Sequence, residues 1–218
     1  MALLDPNEYI ITRKRKKYKF ALFANSPLCF EFDEWQKTDS IDVVEIGAGN
    51  AHFLVALAAN HPEQQFVAID VKGDRLQSGA RQAAEQGLTN IRFIRARADQ
   101  IQDLFAVRSV TTIWLTFSDP FPRARSAGRR LTHLNFLRQY AALLTTHGEL
   151  CIKHDNQDFF CWTLEQLVAE HWQLRDLTFN LHESTLSDEY KILTAYERRW
   201  LSEGRRTQFV RAAVPHWP

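Results

Sequence analysis

An apolar run (Ile113, Trp114, Leu115, Thr116, Phe117) stops abruptly at Ser118, Asp119, Pro120, Phe121 and Pro122. Four arginines follow within eight residues, Arg123, Arg125, Arg129 and Arg130. A strand that ends in a carboxylate, a proline-stiffened turn with an aromatic ring, and a guanidinium cluster bring three chemical tools together. The carboxylate handles a base or a cation, the ring stacks, and the arginines grip phosphate. That combination points to an enzyme acting on a nucleotide inside a larger nucleic acid. A plainer use of Asp119, before proline, is to cap a turn.

A second constellation lies upstream, where Val43, Val44, Glu45 and Ile46 run straight into Gly47, Ala48, Gly49, Asn50 and Ala51. Glycines there let the backbone pass close beneath a ligand, and the helix that follows offers unpaired N–H groups. Asp70 ends the next strand, where a carboxylate can accept both hydroxyls of a ribose. Position 52 is His52, so the third glycine of a dinucleotide fingerprint is missing, and Glu45 would repel a pyrophosphate. A carboxylate at that point suits a ligand with a positive end, which favours S-adenosylmethionine over NAD.

These residues need elements to position them. Strand-like runs at 42–46, 65–70, 91–95, 111–117 and 149–153 alternate with helical patterns at 51–60 and 75–86, the second closed by Gly87. This rhythm predicts an α/β fold, a mostly parallel sheet with helices on both faces. Two later strands, at 172–180 and 207–212, bring the sheet to seven and fit an antiparallel last member. Residues 1–40 lie outside the rhythm and read as a basic N-terminal extension, with the main domain at 41–218. Six cations fall within residues 13–19 (Arg13, Lys14, Arg15, Lys16, Lys17 and Lys19), taken alone either a solvated arm or a phosphate-binding one, and beside the arginine cluster after Asp119 a phosphate-binding arm.

The formal net charge is only +1, so attraction for nucleic acid must come from local patches. Three cysteines (Cys29, Cys151, Cys161) form no CxxC pair, and the histidines (His52, His133, His154, His182) do not fall at metal-ligand spacing, so no metal is expected. An odd cysteine count without a secretory leader, and no apolar stretch of membrane-span length, predict a soluble cytoplasmic protein.

Five motifs stand in order along the chain: EIGAGNAHFL from Glu45, FSDPFPRAR with RRLTH between Phe117 and His133, KHDN from Lys153, LHES from Leu181, and ILTAYE from Ile192. With these, the sequence from 42 to 210 resembles the bacterial tRNA (guanine-N7)-methyltransferases, which modify guanosine 46 of the variable loop. The resemblance implies a Rossmann-like S-adenosylmethionine-dependent methyltransferase fold and tRNA as partner. It also implies a monomer or weak dimer with no membrane and no obligate protein partner. Carried over by position, it implies that Glu45, Gly47, Gly49 and Asp70 hold the cofactor and that Asp119 stands where cofactor meets base. Arg123, Asp155, Thr194 and Glu197 would contact the guanosine, with Arg125, Arg129 and Arg130 against tRNA. Three positions depart from the family pattern. Arg97 stands at an acidic adenine-side position, with Asp99 two residues on; Arg123 replaces a lysine, and Phe121 a tryptophan.

Guanine N7 carries an exposed lone pair and no proton, so its methylation needs no general base. Asp155 and Glu197 can accept from guanine N1–H and the exocyclic amine, donors that adenine does not present together. Thr194 and Glu197, three apart, also read as a capping box. Two rivals remain. One is an amino methyltransferase, because DPFP is similar to [DN]PP[YF]; the other is a catalytically idle tRNA-binding relative that kept the arginines.

Overall fold

The computed structural model describes residues 14–215. Its strands are β1 Cys29–Glu31, β2 Ile41–Ile46, β3 Phe66–Asp70, β4 Ile91–Arg95, β5 Val110–Thr116, β6 Leu144–His154, β7 Gln173–Thr178 and β8 Gln208–Ala213. The α-helices are α1 Lys14–Ala24, α2 His52–Asn60, α3 Gly73–Glu85, α4 Ile101–Leu104, α5 Leu134–Leu143, α6 Gln157–Ala169 and α7 Ala195–Ser202. The strands form one sheet in the order β1-β4-β3-β2-β5-β6-β8-β7. All pairings are parallel except those of β8 with β6 and β7.

The central strands are apolar along both faces because helices cover both. Phe66, Val67, Ala68 and Ile69 of β3 are all buried, and so are Ile113, Trp114 and Leu115 of β5. Helix α2 is apolar nearly all round and sinks Phe53, Leu54, Val55, Leu57 and Ala58 into the core. Helix α3 is amphipathic and buries Leu76, Ala80 and Ala83 instead.

The expected seven-stranded sheet has eight strands. The addition is β1, which pairs with β4 in register Cys29↔Phe93. Three residues are too few for a visible alternation, so periodicity does not mark it. Helix α1 lies beside it against α3, with Phe23 buried near Gly73. Of the basic run, Arg13 lies outside the described residues, and Lys14 opens α1.

From β2 the chain winds outward through β3 and β4, then returns to place β5 on the other side of β2. Such a reversal opens a crevice at the carboxyl ends of the two strands, where ligands bind in open α/β sheets. Glu45 of β2 and Thr116 of β5 stand at that crevice.

Candidate active site

Three adjoining cavities follow the carboxyl edge of the sheet, and Arg75 and Phe117 border all three. The first, about 290 Å³, lies over Glu45, the Gly47–Gly49 turn and Thr116, with Thr194 and Tyr196 across from them. The second, about 270 Å³, lies between Ile46, Ile69 and Asp70 on one side and Ala96, Ala98, Phe121 and Leu131 on the other. The third, about 500 Å³, is bordered by Asp119, His154, Asp155, Tyr196, Trp200 and Arg205. Asp119 borders both the second and the third.

The loops that line these cavities are bent into the left-handed region. Gly47 (φ 75°) and Gly49 (φ 57°) adopt it freely, but Ala51 (φ 53°), Phe117 (φ 50°) and Phe121 (φ 39°) do so against their side chains. Each non-glycine residue there costs about 1–3 kcal/mol, a strain that the surrounding fold must hold in place. Bent this way, the Gly49 N–H donates to Asp70 Oδ2 at 2.9 Å, while the Lys72 N–H donates to Oδ1 at 2.8 Å. The Asp70 carboxylate is thereby fixed in orientation with lone pairs left over.

Glu45 is buried. Its Oε1 accepts from the Thr116 hydroxyl at 2.5 Å, and its Oε2 has no hydrogen-bond partner among the described residues. Burial pushes its carboxyl up to about 8. An orphaned buried acid oxygen on a cavity wall is costly until a donor or cation enters. The groove therefore suits a ligand with a cationic end at Glu45, vicinal hydroxyls at Asp70 and a flat apolar ring between Ile69 and Leu131.

Beneath the first cavity lies Lys153, fully buried. Its ammonium donates to the Ile192 carbonyl at 2.9 Å, lies 3.7 Å from Glu197 Oε2, and sits 4.7 Å over the Phe53 ring. Burial pulls its pKa down to about 8, against the opposing pull of Glu197 and Glu45. Glu197 is 0% exposed and its oxygens are occupied: the Thr194 N–H donates to Oε2 at 3.2 Å, and His182 Nε2 lies 2.7 Å from Oε1. Thr194 and Glu197 form the capping box that starts α7. The Thr194 side of that helix start borders the first cavity.

Asp155 is 15% exposed and meets Arg205 Nη1 at 3.2 Å. His154 lies 3.6 Å from Asp155 but does not bond to it. Its Nε2 donates to the Ser118 carbonyl at 2.9 Å, and its Nδ1 accepts the Asn156 N–H at 2.9 Å, so the ring is neutral. Burial lowers its pKa accordingly.

The arginine cluster divides. Arg130 turns inward, donating to the carbonyls of Pro120 at 2.9 Å and Phe121 at 3.2 Å, and lies 4.2 Å over the Trp162 ring. It holds the DPFP turn in shape. Arg129 covers the Phe121 ring at 5.0 Å and borders the second cavity. Arg123 and Arg125 are exposed and have no acidic partner among the described residues. Arg97, 68% exposed, is paired with Asp99, and the second cavity is bordered by its neighbours Ala96 and Ala98 instead.

Glu45, Gly47, Gly49, Asp70, Asp119, Asp155, Thr194 and Arg129 are thus brought to one groove, while Glu197 stands behind its wall. Sequence reasoning passed over Lys153, Tyr196, Trp200 and Arg205. A lysine inside the apolar strand LCIKH is a visible signal, and Tyr196 lies within ILTAYE; nothing local marks Trp200 or Arg205.

A family profile described as "Putative methyltransferase" (Methyltransf_4) matches residues 39–210. A tRNA (guanine-N(7)-)-methyltransferase of Brevibacillus brevis is 34% identical over 198 residues, 89% of this chain and 92% of that protein. One of Lachnoclostridium phytofermentans is 39% identical over 161 residues, 74% and 75% of the two chains. Among solved structures, the 16S rRNA (adenine(1408)-N(1))-methyltransferase from Catenulisporales acidiphilia superposes with a TM-score of 0.59 at 16% identity, covering 100% of this chain and 97% of that one. The 16S rRNA methyltransferase KamB does so with a TM-score of 0.59 at 15% identity, covering 84% and 90%. Likeness at that identity speaks for the fold alone. The profile match, together with relatives a third or more identical along most of their own length, means that the chain belongs to the tRNA (guanine-N(7)-)-methyltransferase family.

Proposed function

We propose that the protein methylates N7 of the variable-loop guanosine, position 46, of tRNA, using S-adenosylmethionine. The observation that carries the proposal is the position of Asp119, whose residue borders both the Asp70 cavity and the Asp155 cavity. A carboxylate at that junction lies between a cofactor held on one side and a base held on the other.

When bound, S-adenosylmethionine would supply a methyl group on a sulfonium to the guanine N7 lone pair, the S–C electron pair returning to sulfur, so that no residue need move a proton. Glu45 receives the cationic end, its unpartnered oxygen gaining a donor. Asp70 accepts from the ribose hydroxyls. Arg75 is the lone lysine or arginine bordering the first cavity among the described residues and answers a carboxylate there. Asp119 favours positive charge arriving on the base, and the remaining work is alignment. Asp155 accepts from the donor edge of guanine, Tyr196 and Trp200 flank the base, and Thr194 borders the methionine end. Glu197 acts from behind the wall by fixing Thr194 and the start of α7. Arg123, Arg125 and Arg129 hold phosphate.

The test is methyl acceptance by a tRNA transcript against the same transcript with adenosine at position 46. Acceptance by the first and not the second supports the assignment. Equal acceptance by both would place the target elsewhere.

A further inference from the structure

We infer that Arg205 is a built-in stand-in for the target base: its guanidinium occupies Asp155 and Trp200, and it must leave before guanosine enters. The inference rests on the proposed role of Asp155 as acceptor for guanine.

Arg205 donates from Nη1 to Asp155 Oδ2 at 3.2 Å, and its guanidinium carbon lies 3.8 Å from the centroid of the Trp200 ring. All three residues border the 500 Å³ cavity that also contains Asp119. A guanidinium is planar and presents adjacent N–H donors along one edge. Guanine presents the same pattern in N1–H and its 2-amino group, and stacks on the same kind of surface. Arg205 thus places one such donor on this carboxylate and its guanidinium over this indole, the two groups that a guanine would use. The neutral His154 offers Asp155 no proton, which leaves Arg205 as its side-chain hydrogen-bond donor among the described residues.

The stand-in is built to be displaced. Arg205 is 51% exposed, and ion pairs this open to solvent are weak. Its backbone is pinned, the Arg205 N–H donating to the Trp200 carbonyl at 3.0 Å, so only the side chain has to move. A fourth cavity, of about 400 Å³, lies alongside, bordered by Asp155, Phe179, Arg205 and Arg206. Swung into it, Arg205 would join Arg206 as a paired cationic site for a phosphate next to the target nucleotide. Guanine exchanges donor for donor at Asp155. Adenine has no N1–H, so it would displace Arg205 and leave the carboxylate without a matching partner.

Binding of free guanosine to the full chain, saturated with S-adenosylhomocysteine and titrated by NMR, tests this with two variants. Arg205→Ala removes the competitor and is expected to bind guanosine about three- to tenfold more tightly than the parent, as when a closed state no longer has to be opened. Asp155→Ala is expected to lose most guanosine binding. If Asp155→Ala weakens binding while Arg205→Ala leaves it unchanged or weaker, the stand-in is overturned and the guanosine assignment survives. If Asp155→Ala binds as the parent does, the guanosine assignment fails, and the stand-in with it.

Discussion

Asp119 and Glu45 are carboxylates with opposite surroundings. Asp119 is exposed at the mouth of the groove. Replacing it with Asn or Ala is expected to cut turnover by about two orders of magnitude, the range for one well-placed electrostatic group, with little change in tRNA affinity. Single-turnover methylation beside filter binding separates the two; unchanged turnover would remove Asp119 from the chemistry. Glu45 is buried, with its pKa raised to about 8. Below that pH it is largely protonated in the free protein, and a cationic ligand binds its ionised form. Cofactor affinity is therefore expected to rise with pH toward 8, by at most about tenfold per unit, relative to Glu45→Gln, in which this slope disappears. Calorimetry on both proteins from pH 6 to pH 8.5 checks it, because the ligand's own titration cancels in the comparison. For folding the sign is reversed: a raised carboxyl gives stability that is whole below about 4.5 and is eroded as pH rises through 8. Without ligand, Glu45→Gln should then be the more stable protein at pH 9.

At the scale of elements, the segment carrying Thr194 and α7 is tied to the sheet by Lys153, Glu197 and His182. Breaking a buried ion pair at one end leaves the other charge stranded, at a cost of about 3–5 kcal/mol. Glu197→Ala should show a loss of that order in denaturant unfolding, including about 1 kcal/mol for the cap. Lys153→Met alone should cost less, because Glu197 keeps His182 and the Thr194 N–H as partners, and adding it to Glu197→Ala should recover most of the loss. No recovery would mean that Glu197 stabilises α7 without Lys153. This scale also shows what was legible in the sequence. Glu45, Asp70, Asp119 and Asp155 could be read because each stands at or just past the end of an apolar run, where chain direction alone delivers it to the crevice. Trp200 and Arg205 come in from a late helix and loop, so their place depends on packing that no local pattern encodes. The capping box was legible, but the burial of Glu197 was not, since its partners Lys153 and His182 lie 44 and 15 residues away.

For the whole molecule, a net charge of +1 leaves recognition of tRNA to patches. Affinity should fall steeply with salt, and Arg123→Ala and Arg125→Ala should each lower the slope of log K against log salt by about 1. Arg130→Ala should behave differently. Because its guanidinium holds the DPFP turn, turnover should drop with the salt slope unchanged. Residue type alone could not separate Arg130 from its neighbours, since the same guanidinium serves phosphate or carbonyl depending on which way it faces. The parallel sheet was legible from its rhythm of strands and helices, whereas the eighth strand was too short to register.

The central claim is tested most directly by incubating the protein with labelled S-adenosylmethionine and unmodified tRNA, then digesting the tRNA and identifying the labelled nucleoside. The geometry predicts 7-methylguanosine as the labelled product. A label on the base amino group of another nucleoside, or no label despite tight tRNA binding, would contradict it.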